Sequence, residues 1–182
     1  GAAWWVGDHE HAIRAALRER SVIPHLGGSW QLSLGLATNL RLGQAYHSLG
    51  QYARAIDALR RNVDSLGVDL LHERCNMAGL PSVFSRAWLA LCLAGRGEFA
   101  EAVELGEQAL AIATTGDPEY SFTVGCAGLG NVCVARGDFV RAIDVLERGL
   151  ARKLDEHSTR VWPFIGSALG AVPDAVLERV AA

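Results

Sequence analysis

The sequence contains almost no lysine, no long hydrophobic run and no excess of charge of either sign. Lys153 is the single lysine among 17 basic residues, and the formal net charge of the 182-residue chain is -3. This balance lacks the basic surface that nucleic-acid binding requires. No run approaches the roughly 18 apolar residues of a membrane-spanning helix, and the start lacks the basic region of a signal peptide. We therefore expect an ordered cytoplasmic domain that binds neither nucleic acid nor membrane.

Signature motifs of enzymes and metal sites are missing as well. The sequence has no G-x-x-x-x-G-K-[ST] phosphate loop and no G-x-S-x-G nucleophile turn. His9 and His11 are two residues apart, so their imidazoles would diverge by about 200° on a helix and would not share a metal ion. No C-x-x-C spacing occurs, which favours buried thiols over a zinc site or a disulfide. The four cysteines are Cys75, Cys92, Cys126 and Cys133. We expect a non-catalytic protein without cofactor or metal.

What the sequence does contain is one phrase that occurs four times. Each copy has a glycine, an acidic residue or glutamine, three further residues, and then Ala-Ile or Ala-Val. The glycines are Gly7, Gly50, Gly97 and Gly137. They are 43, 47 and 40 residues apart, and apolar residues with helical spacing flank them. A recurring unit of this length predicts a stacked array of helix pairs, because one pair cannot bury its own apolar face.

The second unit shows how a helix pair is encoded. Apolar residues at 42, 45, 46 and 49 have helical spacing and predict a first helix, A. Gly50 is expected to end this helix in the left-handed conformation, and a second helix, B, follows from Tyr52. Gly43 in helix A and Ala55 in helix B are small, so we expect the two backbones to approach closely there.

The pattern resembles the tetratricopeptide repeat, a helix pair of about 34 residues. A small residue in helix A, an aromatic residue at the start of helix B and an alanine three positions later match that family in three units. The resemblance implies an all-α fold, an α-solenoid of antiparallel helix pairs wound into a right-handed superhelix. The units here are longer, at 40 to 47 residues, so extended loops must absorb the difference. The longest insert, 65–81, leaves room for a short extra helix over Leu70–Cys75.

Longer segments resemble the C-terminal repeat region of large bacterial signalling proteins. This resemblance runs from about Leu36 to Phe164 and includes LRLGQAYHSLGQYARAIDALRRNV and GDFVRAIDVLERGL. In that family, a class III nucleotide cyclase domain and a signalling ATPase domain precede the repeats. The resemblance implies that the chain is part of a larger signalling protein, whose other domains are candidate partners. It does not imply activity here, since neither the phosphate loop nor a cyclase aspartate pair is present.

The glycine register divides one repeat domain into five units. They are about 1–27 (partial), 28–80, 81–116, 117–155 and 156–182 (partial). Only Gly1–Val6 precede Gly7, the glycine of the first repeated phrase, so we expect the first unit to lack most of its helix A. Leu169-Gly170 lies 40 residues after Leu129-Gly130 and predicts a fifth helix A. We expect an excised or truncated piece, in which Trp4 and Trp5 are partly exposed or are buried by self-association through the truncated ends.

The tetratricopeptide resemblance also locates a candidate binding surface, because helix A lines the concave face of that superhelix. The corresponding residues here are Leu40, Gln44, His47, Ser48, Phe84, Ala87, Leu91, Val124, Asn131 and Val134. This surface is apolar with isolated hydrogen-bonding groups, which suits an extended peptide or a helix with apolar anchors. It is no basic clamp for acidic C-termini, since Arg41 and Arg86 are only adjacent to it. Phe84, Trp88 and Trp162 are more typical of core packing than of an aromatic cage.

Two functions remain open from the sequence. The first is a protein-interaction scaffold, in which a protein or peptide segment occupies the concave face and a linked signalling domain responds. The second is a small-molecule sensor of a signalling ATPase or cyclase, for which Gln44, His47 and Asn131 would orient a metabolite. We favour the first because no charges converge on the surface. The alternative to both is a groove that is filled by a neighbouring helix or that is only a shallow solvent-exposed face.

Overall fold

The computed structural model describes residues 8–116, 119–152, 161–174 and 176–177. Within these ranges the chain forms eight α-helices and no strand, which confirms the predicted all-α class. The helices are α1 (His9–Val22), α2 (Ser29–Ser48), α3 (Tyr52–Ser65), α4 (Pro81–Gly95), α5 (Phe99–Gly116), α6 (Tyr120–Arg136), α7 (Phe139–Leu150) and α8 (Trp162–Gly170). Gly7, Trp4 and Trp5 lie outside the described residues, so the predictions for them are not addressed by the structure.

The helices pack in two layers, as an α-solenoid. The inner layer consists of α2, α4, α6 and α8, each of which contacts the next inner helix along the chain. The outer layer consists of α1, α3, α5 and α7, and each of these packs against the inner helix that follows it. The pairs α2–α3, α4–α5 and α6–α7 therefore correspond to the A and B helices of the glycine register, and α8 occupies an A position.

Three glycines close the inner helices at the turns into their partners. Gly50, Gly97 and Gly137 have φ of 69°, 80° and 83°, a left-handed conformation that only glycine adopts readily. At the first turn, the amide of Gln51 donates to the carbonyl of Tyr46 at 2.8 Å, and equivalent bonds close the other two. This is the Schellman arrangement, which satisfies carbonyls that the end of a helix would leave without partners. The predicted role of these glycines is confirmed.

In two helix pairs, a glycine of the inner helix packs against a leucine of the outer helix and allows the two helices to approach closely. A Cβ atom added at Gly43 of α2 would lie 2.5 Å from Cγ of Leu59 in α3. In the fourth unit, a Cβ atom added at Gly130 of α6 would lie 2.4 Å from Cγ of Leu146 in α7. Both leucines are fully buried. The close approach predicted at Gly43 is therefore real, and it recurs at the equivalent position of another unit.

The insert between α3 and α4 differs from its prediction. A 3-10 turn over Val68–Leu70 is present where the sequence suggested a short helix over Leu70–Cys75. Cys75 and Asn76 have positive φ values of 47° and 60°, which a right-handed helix does not accommodate. Asn76 instead contacts α2, since its side-chain amide donates to Ser33 Oγ at 3.4 Å. The insert is thus a turn that packs beside α2.

A buried asparagine joins three helices. Asn62 of α3 is 1% exposed. Its Nδ2 donates to the Leu36 carbonyl of α2 at 2.9 Å and to Ser85 Oγ of α4 at 3.1 Å. Its Oδ1 accepts from Asn39 Nδ2 at 3.0 Å. Because buried polar groups stabilise a fold only when they are paired, this network fixes α3 against both neighbouring inner helices.

The four cysteines are free thiols, and three of them are buried. Burial raises the pKa of Cys92 and that of Cys126 to about 12. Burial also raises the pKa of Cys133. Thiols in this state behave as small hydrophobic groups, which confirms the predicted packing role of these three cysteines. Cys75 is only half-buried, so the prediction does not hold for it.

Candidate binding groove

A groove runs along the inner layer of helices. It contains a cavity of about 430 Å³, which is within the size range of ligand sites. Residues of α2, α4, α6 and α8 line this cavity, together with Tyr52 at the start of α3 and Val161 just before α8. The groove therefore depends on four successive inner helices and would not exist in a single repeat.

The floor of the groove is the crossing of α4 and α6. A Cβ atom added at Gly128 would lie 2.7 Å from the Cβ of Ala87 and 3.1 Å from its Cα. The two backbones approach this closely because neither residue has a side chain beyond Cβ. Ala94 and Ala127 also line the groove, so small side chains keep the space above the floor open.

A chain of roughly perpendicular aromatic rings forms one wall. The ring centroid of His47 lies 5.6 Å from that of Tyr52 and 5.4 Å from that of Trp88, with interplanar angles of 61° and 79°. Trp88 in turn lies 5.9 Å from Phe164 at 84°. Edge-to-face pairs of this kind are favourable and fix the orientation of each ring. The wall thereby connects α2, α3, α4 and α8.

A second aromatic pair lies at the N-terminal ends of α4 and α6. The rings of Phe84 and Tyr120 have centroids 5.3 Å apart and meet at 61°. Gly79 of the insert supports this pair, since a Cβ atom there would lie 2.7 Å from Phe84 Cε2 and 3.1 Å from Tyr120 Cδ1. The end of the insert therefore contributes to the groove indirectly, by holding these rings in place.

Arg41 was predicted to lie only beside the concave face, and this prediction is wrong, because Arg41 is the one charged residue among the described residues that line the groove. Its guanidinium forms an ion pair with Glu19 of α1 and donates to Thr38 Oγ1 at 3.3 Å. Arg86 does not reach the groove, because its Nε donates to Gln108 Oε1 of α5 at 3.4 Å. The described lining therefore does not form a cationic clamp, in agreement with the expectation from the sequence.

The remaining polar groups are few and neutral. Burial lowers the pKa of His47, which favours the uncharged imidazole with one donor and one acceptor nitrogen. Asn131 Nδ2 donates to the carbonyl of Ala127 at 2.8 Å and to that of Phe164 at 3.4 Å, which leaves its Oδ1 as an acceptor. Gln44 also lines the groove. These groups are suited to hydrogen bonds with peptide amides or with an uncharged polar ligand.

Seven of the ten residues predicted for the concave face line the groove together. They are Gln44, His47, Phe84, Ala87, Leu91, Val124 and Asn131. They come from three inner helices, so the helix A register placed residues from three separate units on one surface. Whether they bind a ligand stays a prediction.

Three predicted residues lie elsewhere. Leu40 is 6% exposed and belongs to the hydrophobic core, where it packs with residues of α3 and α4. Ser48 is exposed at the end of α2, and its Oγ donates back to the Gln44 carbonyl at 3.0 Å. Val134 is half-buried and packs against the core around α6 and α7. None of the three lines the groove, so these residues are removed from the candidate site.

Sequence reasoning missed several aromatic residues of the groove. Phe164 lies 40 residues after Val124, so the same register that found Val124 would have identified it. Tyr52 belongs to a B helix and gave no such signal. Trp88 was predicted to pack in the core. It does so, with 9% of its surface exposed, and it also lines the groove. The side chain of Trp162 lies outside the described part of the structure.

Membrane-spanning helices and metal-binding clusters are both absent from the part of the chain that the structure describes. No helix there is long and apolar enough to cross a bilayer. No group of three or more histidine, cysteine, aspartate or glutamate residues is placed to hold a metal ion.

The two layers of helices and the groove between successive repeats define a helical-repeat domain. Two tetratricopeptide repeat models match residues 36–63 and residues 126–158. The first match covers parts of α2 and α3, and the second covers part of α6 and all of α7. The chain therefore carries tetratricopeptide-like repeats, a class that generally mediates protein–protein interaction and is typically non-catalytic. Comparison with curated proteins and with solved structures gave no match.

Proposed function

We propose that this domain is a non-catalytic scaffold that binds a segment of a partner protein in the inner groove. The observation that carries this proposal is the continuous apolar lining contributed by four inner helices. A groove built from successive helices extends along the solenoid, which suits an extended or helical segment better than a compact group.

The lining indicates what such a segment would contain. Five aromatic rings, from Tyr52, Phe84, Trp88, Tyr120 and Phe164, surround small residues on the floor. Large apolar side chains of a partner would fill the space between the rings, and hot spots of this kind dominate binding energy. The hydrogen-bonding groups at the rim are uncharged apart from Arg41. We therefore expect binding that depends on apolar anchors and varies little with salt.

The same proposal places these repeats in a larger bacterial signalling protein of the cytoplasm. Its support is the resemblance of the helix pairs to the repeat region of cyclase and signalling-ATPase proteins. In this arrangement another domain of the parent chain is a second candidate for the groove. The coding sequence around the repeats checks this part directly, since a cyclase or phosphate-loop ATPase domain is expected there.

Peptide selection followed by matched substitutions tests the groove. Peptides selected on the chain from a random library displayed on phage should share apolar anchor residues. Leu91→Glu places a charge among the lining residues, and we expect it to weaken binding about tenfold or more, which is 1.4 kcal/mol or more. Leu110→Glu is the matched control, because Leu110 is also a half-buried leucine in mid-helix but lies on α5 outside this groove.

The result that would contradict the proposal is equal loss, or no loss, with both variants while circular dichroism shows each to be folded. Leu40→Glu is unsuitable for this test, because Leu40 is part of the core and a charge there would unfold the domain. A library that yields no binding peptide would also count against the scaffold.

A small-molecule sensor is the second candidate. It is favoured by the cavity of about 430 Å³ in the groove, to which Val161 and Phe164 of the α8 region contribute. A metabolite at 100 times its dissociation constant should stabilise the chain by about 2.7 kcal/mol, which a thermal shift screen detects. The sensor would be favoured over the scaffold if a metabolite stabilised the chain, if Leu91→Glu abolished that stabilisation, and if no peptide were selected from the library.

A further inference from the structure

A second groove lies on the opposite side of α2, between α2 and α3. Its cavity is about 370 Å³, and Leu32, Gly35, Asn39 and Arg61 are among the residues that line it. Gly35 is nine residues before Gln44, so the two lie on opposite sides of the helix at 3.6 residues per turn. This groove is therefore separate from the inner groove.

The repeat register identifies the counterpart of this groove in the fourth unit. Gly43 and Gly130, which make equivalent contacts with a leucine, are 87 residues apart. The same shift relates Gly35 to Phe122 and Arg61 to Arg148. A residue without a side chain in one unit thus corresponds to an aromatic residue in the other.

In the fourth unit the phenyl ring occupies the corresponding space. Phe122 is 2% exposed and belongs to the hydrophobic core. The guanidinium carbon of Arg152 lies 4.3 Å from the centre of its ring, and that of Arg148 lies 5.9 Å from it. Both distances are within the range of cation–π attraction. The arrangement shows which group this position between an A and a B helix accepts.

The third unit fills the equivalent position in a different way. A shift of 47 residues relates Gly35 to Ser82, Asn39 to Arg86 and Arg61 to Gln108. The Arg86 side chain crosses this space and donates to the Ser82 carbonyl at 3.1 Å and to Gln108 Oε1 at 3.4 Å. The pair α2–α3 has neither a phenylalanine at the position of Phe122 nor an arginine at the position of Arg86, since Gly35 and Asn39 are found there.

Nothing within the described chain occupies the part of this groove that lies beside Gly35, which we call the slot. A Cβ atom added there meets no heavy atom within 4 Å, and Asn39 is turned toward Asn62. Arg61 is exposed, and no ion pair joins it to another of the described residues. The slot therefore combines two leucine side chains, Leu32 and Leu36, with a missing side chain and an available guanidinium in an otherwise polar lining.

We propose that the groove between α2 and α3 is a docking site for one aromatic side chain of a polypeptide partner. The ring would lie beside Gly35 with Arg61 over its face, as Arg148 lies against Phe122. The shift of 87 residues relates Arg152 to Ser65, so Arg61 alone would supply the cation here. Its source is a polypeptide because the group that fills the equivalent space is a phenylalanine side chain held by a backbone. The rim offers Gln31 and Ser65 for hydrogen bonds to that backbone. This site goes beyond the inner groove and does not depend on it.

Binding of a single blocked residue to the chain tests the site. The probe is N-acetyl-phenylalanine methylamide, with N-acetyl-leucine methylamide as the matched aliphatic control. We expect the aromatic probe to shift the backbone amide signal of Gly35 in ¹⁵N-correlated NMR spectra and to bind more tightly than the leucine probe. Arg61→Met should weaken it about two- to fivefold, since cation–π attraction at exposed sites is modest. Signals of Gly95 and Asn131 report the inner groove separately.

Filling the slot from within provides the second measurement. Gly35→Phe reproduces the residue of the fourth unit and should abolish binding of the probe at this site. It should also raise the melting temperature above that of Gly35→Ala, which has the gain in helix propensity without the ring. Equal binding of the two probes, no shift at Gly35, or undiminished binding to Gly35→Phe would overturn the proposal. A melting temperature of Gly35→Phe at or below that of Gly35→Ala would do so as well.

Discussion

Replacing Gly130 with alanine tests whether the close approach of α6 and α7 determines the packing of a repeat. The new Cβ atom would lie 2.4 Å from Leu146 Cγ, and Leu146 is fully buried, so its side chain cannot move aside into solvent. Overpacking of this kind costs about 1–3 kcal/mol. The replacement of a helical glycine gains about 1 kcal/mol in propensity. The two effects oppose each other, so a reference substitution is needed.

Gly35→Ala is that reference, because it makes the same change in mid-helix where a Cβ atom meets nothing within 4 Å. We expect Gly130→Ala to be less stable than Gly35→Ala by about 1–3 kcal/mol, the cost of overpacking alone. Urea unfolding monitored by circular dichroism measures both free energies. For a domain of this size the difference corresponds to about 2–4 °C in melting temperature for each kcal/mol.

The partner leucine completes the test. Leu146→Ala alone should cost about 2–5 kcal/mol by leaving a cavity. In that background Gly130→Ala should become stabilising, because its methyl group enters the vacated space and the two changes are coupled. Equal stability of Gly130→Ala and Gly35→Ala, or strict additivity of Gly130→Ala with Leu146→Ala, would refute the account of how the pair is spaced.

Asn62→Ala removes the network that joins three helices and should cost about 2–4 kcal/mol of unfolding free energy, because buried partners lose their hydrogen bonds; a cost below about 1 kcal/mol in urea unfolding would show that the network is dispensable. Burial lowers the pKa of His47 below its ordinary 6.5, so the unfolded chain binds more protons in mildly acidic solution. The contribution of His47 to the free energy of unfolding should therefore be fully present above pH 6.5. It should be lost as the pH falls from 6.5 toward the pKa of His47 in the folded chain. His47→Gln should remove this loss, and an unchanged stability profile in that variant would contradict it. In the native chain Cys92 and Cys126 should react with iodoacetamide far more slowly than half-exposed Cys75, as mass spectrometry would show; equal rates would contradict their burial.

The elements that the sequence predicted well are those with local causes. Gly50, Gly97 and Gly137 end helices because a left-handed residue is needed at each turn, and that requirement is visible in the sequence without knowledge of the fold. Gly43 was identified for a similar reason, since its position in the register repeats. The register also found most of the inner groove, because residues at equivalent positions of stacked units face the same side.

The elements that it missed depend on contacts between distant segments. Leu40 was assigned to the groove from its place in helix A, but the rotation of α2 against α3 and α4 turns it into the core. Tyr52 reaches the groove from a B helix because Gly95 leaves room for its ring, where a Cβ atom would lie 2.7 Å from Tyr52 Cζ. The open slot beside Gly35 is evident only when the three helix pairs are compared in space.

The most direct test of the proposed scaffold is a map of backbone amide shifts in ¹⁵N-correlated spectra as a selected peptide is added to the chain. The proposal predicts that Leu91, Gly128 and Asn131, which face the inner groove, shift together and saturate with one affinity. Leu110 and Thr114, which lie on the outer side between α5 and α7, should not move. Shifts centred on the outer residues, with the inner groove unchanged, would contradict the central claim.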